Sequence, residues 1–143
     1  MNSLKVFLGN PPWRAGDRVG VRAGSRWPFT QKLGKKGEVP YYLPFPFYLA
    51  YSTAVLEEQG TDVLLVDGIA EGQTLDQFLG KIKTFSPDLV LLETSTPSLY
   101  SDLKIAQEIK KTTESKIAFS GPHATVMAND LLEKNACLDF ILM

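Results

Sequence analysis

Five short apolar runs alternate along this chain with four stretches of helical character. Together they predict an α/β fold, a doubly wound five-stranded parallel sheet with helices on both faces. The runs are continuously apolar rather than alternating, as strands buried on both faces are. Each of the first four is followed by turn residues and then a helical pattern, giving the order βαβαβαβαβ, in which parallel neighbours are joined by right-handed crossovers.

The elements follow in order. "LKVFL" (4–8) is the first strand, and "GNPPWRAGDRVGVRAGSRWPF" (9–29) reads as one long aromatic and basic loop behind it. A helix is expected over 46–59, stopped by Gly60, and the second strand is "DVLLV" (62–66). A second helix over 75–84 is closed by "SPD" before the strand "DLVLLE" (88–93). Helix 101–112, strand "KIAFS" (116–120), helix 125–135 and strand "LDFILM" (138–143) complete the pattern. The aromatic string "YYLPFPFYLAY" (41–51) reads as core, with a partner-docking face as the alternative. Because the sequence stops at the fifth strand with nothing to cover its outer face, we expect Met143 to interrupt a longer polypeptide.

Composition narrows the function. At 143 residues and 44% hydrophobic content the chain can bury the core of one domain without metal or disulfide staples. Fifteen basic against sixteen acidic side chains leave a net charge of −1, so no bulk field recruits nucleic acid or an anionic membrane. A single cysteine, Cys137, cannot form an internal disulfide or by itself a zinc or iron-sulfur site, which fits a cytoplasmic protein. It is expected to be buried rather than reactive. No signal-peptide pattern and no apolar run of spanning length is present, so no membrane insertion is expected.

A doubly wound sheet binds its ligand outside the carboxyl ends of its strands, so the loops there are the informative ones: "GNPPW", "DGIAEGQ", "TSTPS" and "GPHAT". Three of the four are built from Gly, Pro, Ser and Thr, which allow close backbone approach or offer hydroxyls. "DGIAEGQ" is taken to be distal, with Gln73 outside the site. The first strand lacks a following G-x-G-x-x-G, and there is no G-x-x-x-x-G-K-[ST], arguing against dinucleotide and nucleoside triphosphate sites. A phosphorylatable Asp after the third strand is replaced by Glu93, and "TSTPS" is not a nucleophile elbow. No catalytic set and no metal set are visible.

The combination of "NPPW", "GVRAGSRWPF", "YLPFPFYLAYSTAVLEEQG", "VLLVDGIAEG", "LVLLETSTPS" and "FSGPHATVMANDLLE" resembles the N-terminal cobalamin (vitamin B12)-binding domain of cobalamin-dependent radical S-adenosylmethionine enzymes, over nearly the whole chain. The resemblance implies a flavodoxin-like (Rossmann-like) domain that positions a corrinoid for methyl transfer or related radical chemistry. S-adenosylmethionine and an iron-sulfur cluster would belong to a downstream domain of the same polypeptide. Carried over residue by residue, it puts Asn10, Pro11 and Pro12 under the corrin ring. Glu93, Thr94, Ser95, Thr96 and Ser98, with Gly121, Pro122, His123 and Ala124, would line the channel for the nucleotide tail. Ser95, Thr96 and Ser98 would act as donors and Gly121 would permit close approach. Arg22 and Ser25 in the long loop are further candidates. Methylcobalamin proteins of the methionine synthase type carry D-x-H-x-x-G after the first strand; "GNPPWRAG" lacks both that Asp and that His. The implied cofactor is therefore base-off, without a histidine lower ligand from this loop.

His123 is left three readings: hydrogen-bond donor to the tail, local packing at a helix entry, or metal ligand. Arg14, Arg18, Arg22 and Arg26, with Trp13, Trp27 and Phe29, could cover a macrocycle and pair with its oxygens, or belong to a solvated loop. Two other functions stay open: a non-catalytic sensor of cobalamin or another small ligand, and an enzyme fragment using the fold as scaffold. The domain alone is not expected to catalyse.

Overall fold

A computed structural model describes residues 3–21, 29–35, 38 and 42–143. Its elements are β1 (Lys5–Asn10), β2 (Arg14–Ala15), β3 (Arg18–Val21), β4 (Phe29–Lys32), α1 (Phe47–Glu58), β5 (Asp62–Asp67), α2 (Leu75–Phe85), β6 (Leu89–Glu93), a 3₁₀ turn (Thr96–Ser98), α3 (Leu99–Thr112), β7 (Lys116–Ser120), α4 (Pro122–Val126), α5 (Ala128–Lys134) and β8 (Phe140–Leu142). Five strands form the expected parallel sheet in the order β5-β1-β6-β7-β8. From β1 the chain moves outward to β5, then returns past β1 to β6, so the direction of winding reverses beside β1. In such a sheet that reversal opens a crevice at the carboxyl edge.

Side chains alternate across the sheet and divide the core in two. Phe7, Val90, Leu92, Ile117 and Phe119 meet Phe78 and Ile82 of α2 and Ile105 and Ile109 of α3 on one face. Val6, Leu8, Leu91 and Ala118 meet Leu49 of α1 on the other. The rings of Phe7 and Phe78 pack edge to face, with centroids 5.5 Å apart, a geometry that adds to their burial. Helix α2 starts where Thr74 accepts from the Gln77 N–H and Gln77 reciprocates to the Thr74 N–H, satisfying two otherwise unpaired donors.

Three features differ from the sequence expectation. The long loop after β1 contains a three-stranded antiparallel sheet, β2-β3-β4. Its first two strands are joined by Gly16-Asp17, with Gly16 at φ +59, where glycine is favoured. The aromatic string is largely exposed: Tyr42, Phe45, Phe47, Tyr48 and Tyr51 all face outward, and Leu49 alone is buried in α1. The helix is apolar all round, but only one side of a helix can meet the sheet. The expected helix 125–135 starts instead at Pro122, and breaks into α4 and α5 at Met127. Proline suits a first helical position because its missing N–H would have no partner there.

Asp139 anchors the entry to β8. It accepts from Lys110 of α3 at 2.6 Å, from Lys116 at 2.9 Å and from the Ile117 N–H at 2.8 Å. Desolvation pushes its carboxyl upward, but these three donors win and bring it down to about 2. A depressed carboxylate stabilises the fold above its unfolded pKa of about 4 and loses that contribution as pH falls toward 2. Asp139→Asn should therefore lower stability by about 1–2 kcal/mol at pH 7, allowing for solvent screening. The difference from wild type should shrink between pH 4 and 2 in denaturant titrations.

Candidate functional site at the carboxyl edge of the sheet

Asn10 closes β1 and is buried. Its Nδ2 donates to Asp67 Oδ1 at 3.1 Å, while its carbonyl accepts from the Gly68 N–H. Asp67 also accepts from the Ile69 and Ala70 N–H groups. Burial pushes its carboxyl upward against the pull of these donors. Pro11 and Pro12 are buried as well. The "NPP" segment thus forms a firm floor at the switch point.

The loop after β5 packs against the segment that follows β1. Gln73 lies buried where Pro12, Trp13 and Val19 meet Gly68 and Ile69. Its Nε2 donates to Glu71, and its Oε1 has no partner among the described residues. Arg14 reaches across to the Gly72 carbonyl at 2.8 Å, and Arg18 donates to Thr30 Oγ1 at 3.0 Å. These two arginines hold the small sheet together and against the β5 loop. Arg22, Ser25, Arg26 and Trp27 lie outside the described residues.

Strand alternation splits the loop after β6. Leu91 and Glu93 face α1, and Glu93 borders an open cleft of about 450 Å³ lined also by Tyr48, Leu49 and Ser52 of α1 and by Ser120, Gly121 and Thr125. Thr94 points to the opposite side, where its hydroxyl donates to Asp102 Oδ2 at 2.7 Å. Ser98 donates to the same oxygen at 2.8 Å, and Ser95 Oγ lies 2.8 Å from Ser98 Oγ. Asp102 is 1% exposed. Sequence reasoning missed it, although Ser98 and Asp102 stand four apart at a helix start, where side chains meet.

Gly121 follows β7 with φ 112 and ψ 170, a region that is essentially glycine's alone. A Cβ there would lie 2.4 Å from the Thr94 carbonyl oxygen. A larger residue would therefore strain the fold before any ligand arrived. His123, in the first turn of α4, sits 2.9 Å from Thr96 Oγ1 through Nδ1, joining the two loops across the edge. Ala124 is buried beneath, and Pro122 is exposed beside the cleft. No cluster of three or more metal-ligating side chains occurs among the described residues. No helix among them is long and apolar enough to cross a membrane. Cys137 is buried as expected, and burial pushes its thiol up.

The B12 binding domain model matches residues 38–143. The chain belongs to this family. This B12-binding domain is also 30% identical over 98 residues to an uncharacterized methyltransferase of Pyrococcus horikoshii. That match covers 68% of the chain and 21% of the relative, so the chain spans about a fifth of the relative's length. No solved structure matches. A cobalamin-binding role fits the edge described above: the cleft combines an apolar wall from Tyr48, Leu49 and Leu91 with Ser52, Glu93, Ser120 and Thr125, the mixture a heterocycle with polar substituents requires.

Proposed function

We propose that this cobalamin-binding domain holds its cofactor base-off, with the nucleotide tail in the cleft between α1 and the ends of β6 and β7, and presents it to a radical S-adenosylmethionine domain of the same polypeptide. The single observation that supports the tail position is that a cleft bordered by Glu93, Ser120 and Gly121 opens at the carboxyl ends of β6 and β7, where doubly wound sheets take their ligands. When bound, the corrinoid would supply methyl-group or one-electron chemistry. The chain's own residues would do the rest. Leu49 and Leu91 would exclude water from the tail, while Ser52, Ser120 and Thr125 offer hydrogen bonds to it. Asn10, Pro11 and Pro12 would form the floor under the ring.

A tail held in the cleft would keep the cofactor's own base away from cobalt, and the floor offers no histidine in its place. Asn10 is the side chain at the end of β1, and it is turned to Asp67; His123 lies across the edge against Thr96. Water or an uncharged group would then face the lower side of the ring. The methyl-transfer context rests on the relative's description as a methyltransferase and on the motif resemblance, as do S-adenosylmethionine and the iron-sulfur cluster in the partner domain. A cytoplasmic location is part of the same reading.

Titration with hydroxocobalamin followed by visible absorption tests it. A saturable base-off spectrum is expected. No binding would remove the proposal, and a base-on spectrum would remove the tail placement.

A further inference from the structure

The cleft between α1 and the ends of β6 and β7 is apolar within and acidic at the strand ends. Leu91 and Glu93 share one face of β6, and their register partners on β7 are Ala118 and Ser120. Leu91 and Ala118 are buried against Leu49 of α1. Glu93 and Ser120 close their strands, and Glu93 is 6% exposed. Among the described residues that line the cleft none is a lysine, arginine or histidine. The other ionisable groups there are the Tyr48 phenol of α1 and the end of the chain at Met143. His123 of α4 is turned to Thr96, and Asp102 of α3 lies on the opposite face with Thr94. A phosphate brought to Glu93 would meet like charge with no cation among these residues to offset it. A flat heterocycle suits the place better: its faces match Leu49 and Leu91, and a ring nitrogen can face the carboxyl. A carboxylate and a neutral ring nitrogen both only accept, so that contact holds with one proton between them. The two carboxylate oxygens carry enough lone pairs for it beside any other bond that Glu93 makes.

We propose that Glu93 recognises the cofactor's lower base, a benzimidazole, by sharing a proton with the ring nitrogen that leaves cobalt in the base-off form, so that the base lies innermost in the cleft and the phosphate outside it. The inference rests on the cobalamin reading and goes beyond it: binding takes up a proton, and corrinoids are sorted by whether their lower base carries a nitrogen acceptor. In free cobalamin the nitrogen lone pair is held by cobalt. In the complex that lone pair faces the proton and Glu93 holds the proton's other side, so one proton enters from solution and none leaves.

The test is calorimetric titration of the full chain with methylcobalamin in buffers of different ionisation heat, which counts the protons exchanged. Methylcobinamide, the same corrinoid without its nucleotide, is the control. Wild type should take up about one proton with methylcobalamin and none with methylcobinamide, and its affinity for methylcobalamin should fall about ten-fold for each pH unit above 7. Glu93→Gln brings its own N–H to the ring nitrogen, so it should bind methylcobalamin within a few-fold of wild type, take up no proton and lose the pH dependence. Glu93→Ala should weaken methylcobalamin about ten-fold or more and leave methylcobinamide unchanged. Binding by wild type without proton uptake would overturn the proposal and leave the cofactor reading standing. Equal losses for the two ligands in Glu93→Ala, the sign of a merely structural role, would do the same. No binding of methylcobalamin would remove both. The proton count needs no variant, and it decides the matter if neither variant folds.

Discussion

Gly121→Ala should cost about 3 kcal/mol or more and lower the melting temperature by about 12 °C or more. Backbone strain in a glycine-only region contributes about 1–3 kcal/mol, and forcing a methyl against a packed neighbour adds about 1–3. That neighbour is the Thr94 carbonyl, only 2.4 Å from the new carbon, and backbone yields less readily than a side chain. Each kcal/mol moves the midpoint of a domain this size by roughly 4 °C. Gly80→Ala is the informative comparison. Gly80 lies within α2 with open space around its would-be Cβ, so alanine there should stabilise by about 0.4–1 kcal/mol. Thermal melts by circular dichroism of both variants check the contrast; equal shifts would mean that the conformation at Gly121 carries no strain.

Ser52→Trp should abolish measurable hydroxocobalamin binding, an affinity loss of about 100-fold or more, which corresponds to about 2.8 kcal/mol. Ser52 projects from the middle of α1 into the cleft against Leu91, and an indole would occupy the volume assigned to the nucleotide tail. The site is open and half-buried, so the larger side chain has room and the melting temperature should stay within a few degrees of wild type. Undiminished binding would show that the tail lies elsewhere.

The parallel sheet was legible because its strands are buried on both faces and read as unbroken apolar runs, each bounded by turn residues. The small sheet was hidden by its brevity. In "RVGV" only Val19 and Val21 are buried, alternating with an exposed arginine and a glycine. The Gly16-Asp17 pair was nonetheless a hairpin signal. Which loops form the ligand edge followed from topology, but which way their hydroxyls point did not. Thr94 and Glu93 are adjacent in sequence and fall on opposite faces of the sheet, one toward Asp102 and the other toward the cleft. Tyr48, Leu49 and Ser52 reach the site from a helix more than forty residues earlier in the chain, a proximity set by the crossover rather than by any local pattern.

The position of β1 bears on where this domain can be cut. The family match begins at residue 38, yet β1 (Lys5–Asn10) lies between β5 and β6 and pairs with both. A gene trimmed to the matched boundaries would encode the two flanking strands without the one that joins them. It would leave two facing rows of unpaired backbone groups, the kind of edge that recruits other chains. It would also remove Asn10, the partner that Asp67 faces across the switch point. A self-sufficient module must begin upstream of Lys5, and a graft that exchanges this domain between proteins must carry the small β2-β3-β4 sheet with it, because the chain passes through that sheet on its way from β1 to α1.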